Sequence, residues 1–370
     1  MTNPPVSKAA ASAQEPPNEP IALRARAIAL YLPQFHTIPQ NDEWWGPGFT
    51  EWTNVARARP LFPGHSQPHL PADLGFYDLR VPEVREQQAA LARDNGIEAF
   101  CYWHYWFGDG RRILERPFQE VLSSGVPKFN FCLGWANESW TGIWHGAADK
   151  VLIEQRYPGR EDSAAHFRSI LSAFRDERYL RVHGRPIFYV YRPGALPSAS
   201  QFIDDWQALA RAAGLPDVYF VAGLGHGYDR FIEDGFEAGF HQRLPYAETR
   251  GLQLVTRIRR KVLKQPLVRR YSNEPAQHTP DADCARVQPC VIPNWDNTPR
   301  SGGNGVVLTG ATPERFRTQV RSAIATLAAR PPEERLLWVK SWNEWAEGNY
   351  LEPDWEVGHA RLLVLKEELQ

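Results

Sequence analysis

The feature that most limits what this chain can become is an alternation running nearly its whole length. Eight short apolar runs, rich in β-branched and aromatic residues, recur at 27–35, 98–107, 128–135, 186–191, 218–224, 236–241, 287–292 and 336–341. Amphipathic helix-like stretches separate them at 81–95, 113–124, 163–176, 200–213 and 313–329, with a short turn near 230–234. Continuous apolar strands between helices imply a parallel sheet covered on both faces. Eight such strands predict an α/β fold, a (β/α)8 TIM barrel with long βα-loops. An open doubly wound sheet is the competing architecture. The GxGxxG phosphate fingerprint does not follow the first strand, and Gly223-Leu224-Gly225-His226-Gly227 lacks its spacing and reads as a tight loop.

The alternation also sets the expected domain plan. Residues 1–22, dominated by Ala, Pro, Ser and Asn, read as a disordered tail without the apolar core of a signal peptide. Residues 23–370 read as one barrel domain. Two stretches interrupt the pattern. Residues 41–77 carry five Pro and several aromatics and read as a long ordered βα-loop. Residues 251–283 read as an insertion whose first part gathers Arg257, Arg259, Arg260, Lys261, Lys264, Arg269 and Arg270 without an acid among them. That segment fits either a solvated insertion or a basic face for an anionic membrane or polysaccharide. The chain as a whole is close to neutral, with 42 basic against 43 acidic residues, which argues against a nucleic-acid partner. No apolar run is long enough for a transmembrane helix, so a cytoplasmic location is expected. Cys101 and Cys132 sit in apolar runs as buried thiols; Cys284 and Cys290 could pair but are spaced poorly for zinc, and free thiols are expected.

Tryptophan is the compositional anomaly. The chain has 14 Trp and one Met. Barrel enzymes place their sites at the C-terminal ends of the strands, and 11 of the 14 Trp fall in five windows there. The windows hold Gln34, His36, Trp45, Glu51, Trp52 and Asn54 after the first strand, and Trp103, His104 and Tyr105 at the end of the second. Trp135, Asn137, Glu138 and Trp140 follow the third, Asn294, Trp295, Asp296 and Asn297 the seventh, and Trp342, Asn343, Glu344 and Glu347 the eighth. Flat indole faces beside Asn, Asp, Glu and His suit sugar rings, whose C–H faces stack while their hydroxyls need directional partners. No nucleophile elbow, HExxH or other compact metal spacing appears, and the scattered His36, His104, His145, His226 and His241 read as polar residues satisfied by neighbours. Neither a metal nor a cofactor is expected.

Glycosyl chemistry needs two carboxyl groups, one to protonate the departing oxygen and one as nucleophile or base. Glu344 and Glu347 are the best pair. They face the same way only if the chain turns helically after the last strand, which Gly348 permits. Glu138, in Trp-Ala-Asn-Glu, is a rival acid/base. Glu51 and Asp296 read as hydroxyl-binding residues.

Several long motifs carry a family resemblance. Tyr31-Leu32-Pro33-Gln34-Phe35-His36, Trp44-Trp45-Gly46 with Phe49-Thr50-Glu51-Trp52-Thr53-Asn54, Trp135-Ala136-Asn137-Glu138, Trp295-Asp296-Asn297-Thr298-Pro299-Arg300 and Trp342-Asn343-Glu344-Trp345-Ala346-Glu347-Gly348 resemble the WbsX-type family. The likeness runs from about residue 27 to the C-terminus. Members are described as glycosyltransferases of bacterial O-antigen and capsule loci, and the family is more distantly similar to the family-99 glycoside hydrolases, the endo-α-mannosidases. The resemblance adds Tyr31 to the binding candidates. It implies a retaining mechanism on α-manno-configured sugars, mannose or D-rhamnose, without metal or nucleotide. Glu344 would be the base on the substrate's own 2-hydroxyl, giving a 1,2-anhydro sugar, and Glu347 the acid/base. The long loop with Glu51 and the Trp-Asp-Asn segment belong to the WbsX type, so the hydrolases' sugar subsites do not carry over.

Three functions therefore compete. A retaining glycosidase of a bacterial surface polysaccharide follows from the carboxyl pair. A polysaccharide glycosyltransferase follows from the family label, although Asp204-Asp205 and Asp281-Ala282-Asp283 are weak as metal–nucleotide motifs. A non-catalytic carbohydrate-binding barrel is the third. A lipid-linked cytoplasmic precursor as substrate would give the basic insertion a role at a membrane face.

Overall fold

The computed structural model describes residues 24–142, 147–225, 227–246, 265–272 and 285–370. The proposed tail, His145, His226, Cys284 and most of the basic insertion lie outside those residues. A barrel of parallel strands occupies the centre: β1 (Arg26–Tyr31), β2 (Ile97–His104), β3 (Asn130–Trp135), β4 (Arg185–Val190), β5 (Tyr219–Leu224), β6 (Ala238–His241), β7 (Val287–Gln288 continued by Cys290–Val291) and β8 (Leu336–Val339). Consecutive strands from β1 to β6 pair in parallel, and β8 pairs with β1. The seventh strand closes the ring in two halves. Val287 and Gln288 pair with β6, while Cys290 and Val291 pair with β8. Pro289 sits between the halves and has no N–H to give, but its carbonyl accepts from Trp338 N at 3.0 Å. The expected run at 287–292 is thus one strand serving two neighbours, and the fold is the (β/α)8 barrel.

Each strand shows why its sequence was apolar throughout. β1, β4 and β5 are buried at nearly every position, because one face fills the barrel and the other meets helices. Inside, Trp338 stacks on Phe240 at 4.4 Å between centroids and donates its indole N–H to Gln288 at 2.6 Å. Outside, the helix Arg160–Arg175 buries His166, Phe167, Ile170, Ala173 and Phe174, a single stripe at helical spacing.

The 41–77 loop is ordered and carries two short helices, α1 (Pro39–Trp45) and α2 (Glu51–Arg57). Thr50 and Thr53 form a reciprocal capping box that fixes where α2 begins. Glu51 is therefore the first helical residue and Asn54 lies one turn on, over the same face. Part of the expected insertion is regular: Leu267–Arg270 forms a strand parallel to Val306–Thr309. Among the described residues, no helix is long and apolar enough to cross a membrane. Cys101, Cys132 and Cys290 are free and buried.

Candidate active site

A cleft of about 240 Å³ opens at the C-terminal end of the barrel. Its floor is set by the chain leaving β8. Asn343 and Glu344 pair antiparallel with Asn349 and Tyr350, and a single 3-10 turn, Trp345–Glu347, bridges them. This turn brings Glu344 and Glu347 to one side, as helical spacing requires. Gly348 closes it in the left-handed region at φ 58°, and a Cβ there would stand 2.7 Å from Asp296 N. The Asp296 N–H donates to Glu347 O at 2.7 Å, tying the turn to the loop after β7.

Both carboxyl groups are buried, and they hydrogen-bond to each other. Arg300 sits in the short helix Thr298–Ser301 after β7. It donates from NH1 to Glu347 at 2.7 Å, and from Nε and NH2 to Glu51 at 3.0 and 2.9 Å. Glu344 is farther from that guanidinium, at 3.8 Å, and accepts from the Trp103 indole N–H at 3.1 Å. The unequal distances decide where the proton rests. Burial, reinforced by the negative charge of Glu347, pushes the Glu344 carboxyl up to about 8. Burial also acts against the Glu347 carboxylate, but the charges of Arg300 and Lys340 outweigh it and hold that group below its ordinary value. The pair therefore shares one proton, carried by Glu344 near neutral pH. Burial works against the charge on Arg300 too, and Glu51, Glu347 and Glu344 outweigh it. Glu51 and Glu347 as anions balance Arg300 and Lys340 as cations, which lets the cluster stay buried.

Lys340 directly follows β8 and lies with Nζ 4.8 Å from the centre of the Trp295 ring. Aromatic walls complete the cleft: Trp45 and Phe49 from the first loop, Trp103 and Tyr105 from β2, Trp140 after β3, Tyr191 after β4 and Trp295 after β7. Gln34, Asn54, Ser139 and Gln242 add polar contacts. Glu138 lines the wall with Oε2 2.7 Å from Arg192 Nε. Among the described residues, no cluster of three or more metal-ligating side chains occurs.

The other expected binding residues do not line this cleft, and most are held by structural partners. Tyr31 points outward, packs on Phe100 and Tyr102, and donates its hydroxyl to Gln88 at 2.7 Å. His36 is fully buried, and burial pulls its imidazole down to about 4. Trp52 donates to Tyr77 O and packs on Phe35 and Trp345. His104 meets His166 at 2.8 Å behind the wall, and Trp135 donates to Trp106 O. Asn137 brackets the loops after β3 and β4, accepting from Arg192 N at 2.7 Å and donating to Arg192 O at 2.8 Å. Asn343 does the same for β1 and β8 through Leu32 N and O. Trp342 is completely buried against Phe100. Asn294 and Asp296 face a different cavity. Asp296 accepts from His65, Gln67 and Thr298, and Asn297 accepts from Val306 N. Sequence reasoning passed over Arg300, Lys340, Tyr191 and Gln242. The first closed a quoted motif and the second directly follows a strand, so position alone could have raised both.

The sequence profile of the family described as Glycosyltransferase WbsX matches residues 27–365. The chain belongs to the WbsX family. Two relatives, each named Uncharacterized protein WxcX, come from Xanthomonas campestris pv. campestris strains ATCC 33913 and B100, and are 39% and 38% identical over 367 residues. The alignments cover 95% of this WbsX chain and 50% of each relative, so the chain spans about half their length. Among solved structures, a glycoside hydrolase-like protein superposes with TM-score 0.58 at 12% identity, covering 95% of this chain and 97% of that one. The GH99 endo-alpha-mannosidase from Bacteroides thetaiotaomicron superposes with TM-score 0.54 at 14% identity, covering 92% and 96%. At these identities the likeness is one of fold: this WbsX chain has the barrel of carbohydrate-active enzymes.

Proposed function

We propose that this WbsX chain is a retaining glycoside hydrolase acting on α-manno-configured units, mannose or D-rhamnose, of a bacterial surface polysaccharide. The observation that carries the reading is the Glu344–Glu347 pair, two buried carboxyl groups sharing one proton at the bottom of an indole-walled cleft. One acid and one base, adjacent, the first neutral and the second anionic at neutral pH, are what glycosyl transfer needs.

In the first step a carboxylate takes the proton of the substrate's 2-hydroxyl. That oxygen attacks C1, the C1–O bond to the leaving group breaks, and the carboxylic acid protonates the departing oxygen. In the second step the new carboxylate takes a proton from water, hydroxide oxygen attacks C1, and the 1,2-anhydro bond opens as O2 recovers its proton. The family resemblance gives Glu344 the base role and Glu347 the acid role. With the proton resting on Glu344, this assignment needs it to cross the hydrogen bond between the two when substrate docks. Arg300 and Lys340 stabilise whichever member of the pair is anionic. Trp45, Trp103, Trp140 and Trp295 supply stacking surfaces.

A proton-NMR time course on defined α-mannosides and α-D-rhamnosides tests this reading, since it reports cleavage and anomeric outcome together. Cleavage with retention supports it. No cleavage of any of them, with Glu344→Gln and Glu347→Gln binding the substrates no better than wild type, overturns it. The family description favours a second reading, polysaccharide glycosyl transfer. Calorimetric binding of GDP or UDP would support that one.

A further inference from the structure

The cleft does not end at the carboxyl pair. A second cavity of about 460 Å³ opens beside it, over the C-terminal ends of β4, β5 and β6, and Tyr191, Gln242 and Lys340 line both. The two spaces differ sharply in charge. The first holds Glu51, Glu138, Glu344 and Glu347. The second presents Arg192, Arg243 and Lys340 and, among the described residues, no Asp or Glu. Arg192 has a carboxylate neighbour in Glu138. Arg243 and Lys340 have no acidic side chain within ion-pair distance among the described residues. The nearby Glu347 and Glu344 offset the burial of Lys340 and keep it charged.

Glu138 and the Glu344–Glu347 pair partly offset Arg192 and Lys340, but Arg243 adds positive potential, and the recess itself holds no acid, among the described residues, that would repel an anion. The guanidinium fork fits a carboxylate or a phosphate in particular. A second observation points the same way. Gln242 donates its amide N–H to Tyr189 Oη at 2.6 Å, while its Oε1 is buried without a donor. An unmet acceptor at the junction of the two spaces calls for a hydroxyl. Tyr191 and Tyr228 give the recess flat walls, and the Tyr228 hydroxyl is occupied by Asp234 at 2.7 Å.

We propose that this recess is an anion-recognising sugar subsite, and that it holds the residue adjoining the one at Glu344 and Glu347, a residue bearing a carboxylate or a phosphate ester. The inference rests on the carbohydrate-cleaving reading of the cleft and names its substrate class as acidic. It puts a hydroxyl of the bound sugar beside the Gln242 amide and its acidic group between Arg243 and Lys340.

The test is calorimetric titration of the full chain with three thio-linked α-manno disaccharides, which resist cleavage. One is neutral, one carries a hexuronate, and one carries a 6-phosphate. Binding of at least one acidic form about tenfold tighter than the neutral form, weakening with salt, is expected. That advantage should vanish in Arg243→Ala, an exposed position that leaves the fold intact, and in Lys340→Gln. Preference for the uronate over the phosphate, or the reverse, identifies the anion. Equal binding of neutral and acidic forms overturns the subsite alone. An acidic preference that survives both substitutions also overturns it. GDP binding that depends on Arg243 while acidic disaccharides are ignored overturns it in favour of a nucleotide site. If no disaccharide binds at all, the carbohydrate-cleaving reading fails together with the subsite.

Discussion

Arg300 is the residue on which the site's electrostatics turn. Its two ends reach Glu51 and Glu347 at once, a geometry that only a planar fork supplies. Arg300→Lys is therefore expected to lower activity strongly despite keeping the charge. Arg300→Met leaves buried carboxylates unpaired, and a stability loss of about 3–5 kcal/mol in denaturant titrations is expected. Glu344→Gln and Glu347→Gln should each cut kcat/KM by about 10²–10⁴-fold with the melting transition retained. An aryl glycoside with a good leaving group tells the two apart, because loss of the acid hurts that substrate least. Because Glu344 holds its proton up to about 8, kcat/KM should fall above about pH 8 as the pair becomes a dianion. The carboxyl pair was legible from spacing and from its place after a strand. The roles of Trp52, Asn137 and Asn343 were not, because a loop sequence does not say which side chains face the ligand and which brace the loop. Arg300 stood at the end of a quoted motif, but nothing in the sequence says that its side chain turns toward Glu51 and Glu347.

At the scale of elements, the turn Trp345–Glu347 and the loop bracket at Asn137 do the positioning. Gly348→Ala meets both a positive φ and a backbone atom 2.7 Å away. The turn must shift, and activity should drop at least tenfold while far-ultraviolet circular dichroism stays unchanged. Asn137→Ala removes the amide that joins the loops after β3 and β4, leaving the Arg192 backbone groups unmet. A cost of about 1–3 kcal/mol in stability is expected, with KM raised more than kcat lowered, since Glu138 and Arg192 move with those loops. The eight strands and the main helices could be read from sequence because burial on both faces makes strands continuously apolar. The strand Leu267–Arg270 could not. It alternates between half-buried and exposed, and its Arg pair reads as part of a basic insertion. The aromatic surplus was read as a sugar surface throughout, yet Trp52, Trp106, Trp135, Trp342 and Trp345 are buried and pack within the protein instead of lining the cleft.

For the whole molecule, buried titratable groups set the pH of greatest stability. Burial holds His36 at about 4 and His104 at about 3. Below their ordinary value of 6.5 the unfolded chain binds protons that the folded one refuses, so stability rises with pH up to that point. Burial raises Glu352 to about 7 and Glu344 to about 8. Above the ordinary value of 4.5 the folded chain keeps protons that the unfolded one releases, so these groups lower stability as pH climbs to about 8. The two sets oppose each other between 4.5 and 6.5, and only the carboxyl groups act above. Thermal melts should therefore change little between pH 4.5 and 6.5 and lose on the order of a few degrees between pH 6.5 and 8.5, a loss that Glu344→Gln and Glu352→Gln should shrink. A flat profile over that range in the wild-type chain would contradict the shared proton.

The ring closure has a topological consequence. β1 lies beside β8, and the Arg24 N–H donates to Leu369 O at 2.8 Å. The two ends of the described chain thus meet under the barrel, on the pole opposite the cleft. A linker of a few residues can splice them, with new termini cut at the exposed turn around Gly214, and no strand pair is lost. By the same geometry, a further domain joined directly at residue 24 or residue 370 starts below the barrel, on the pole away from the cleft.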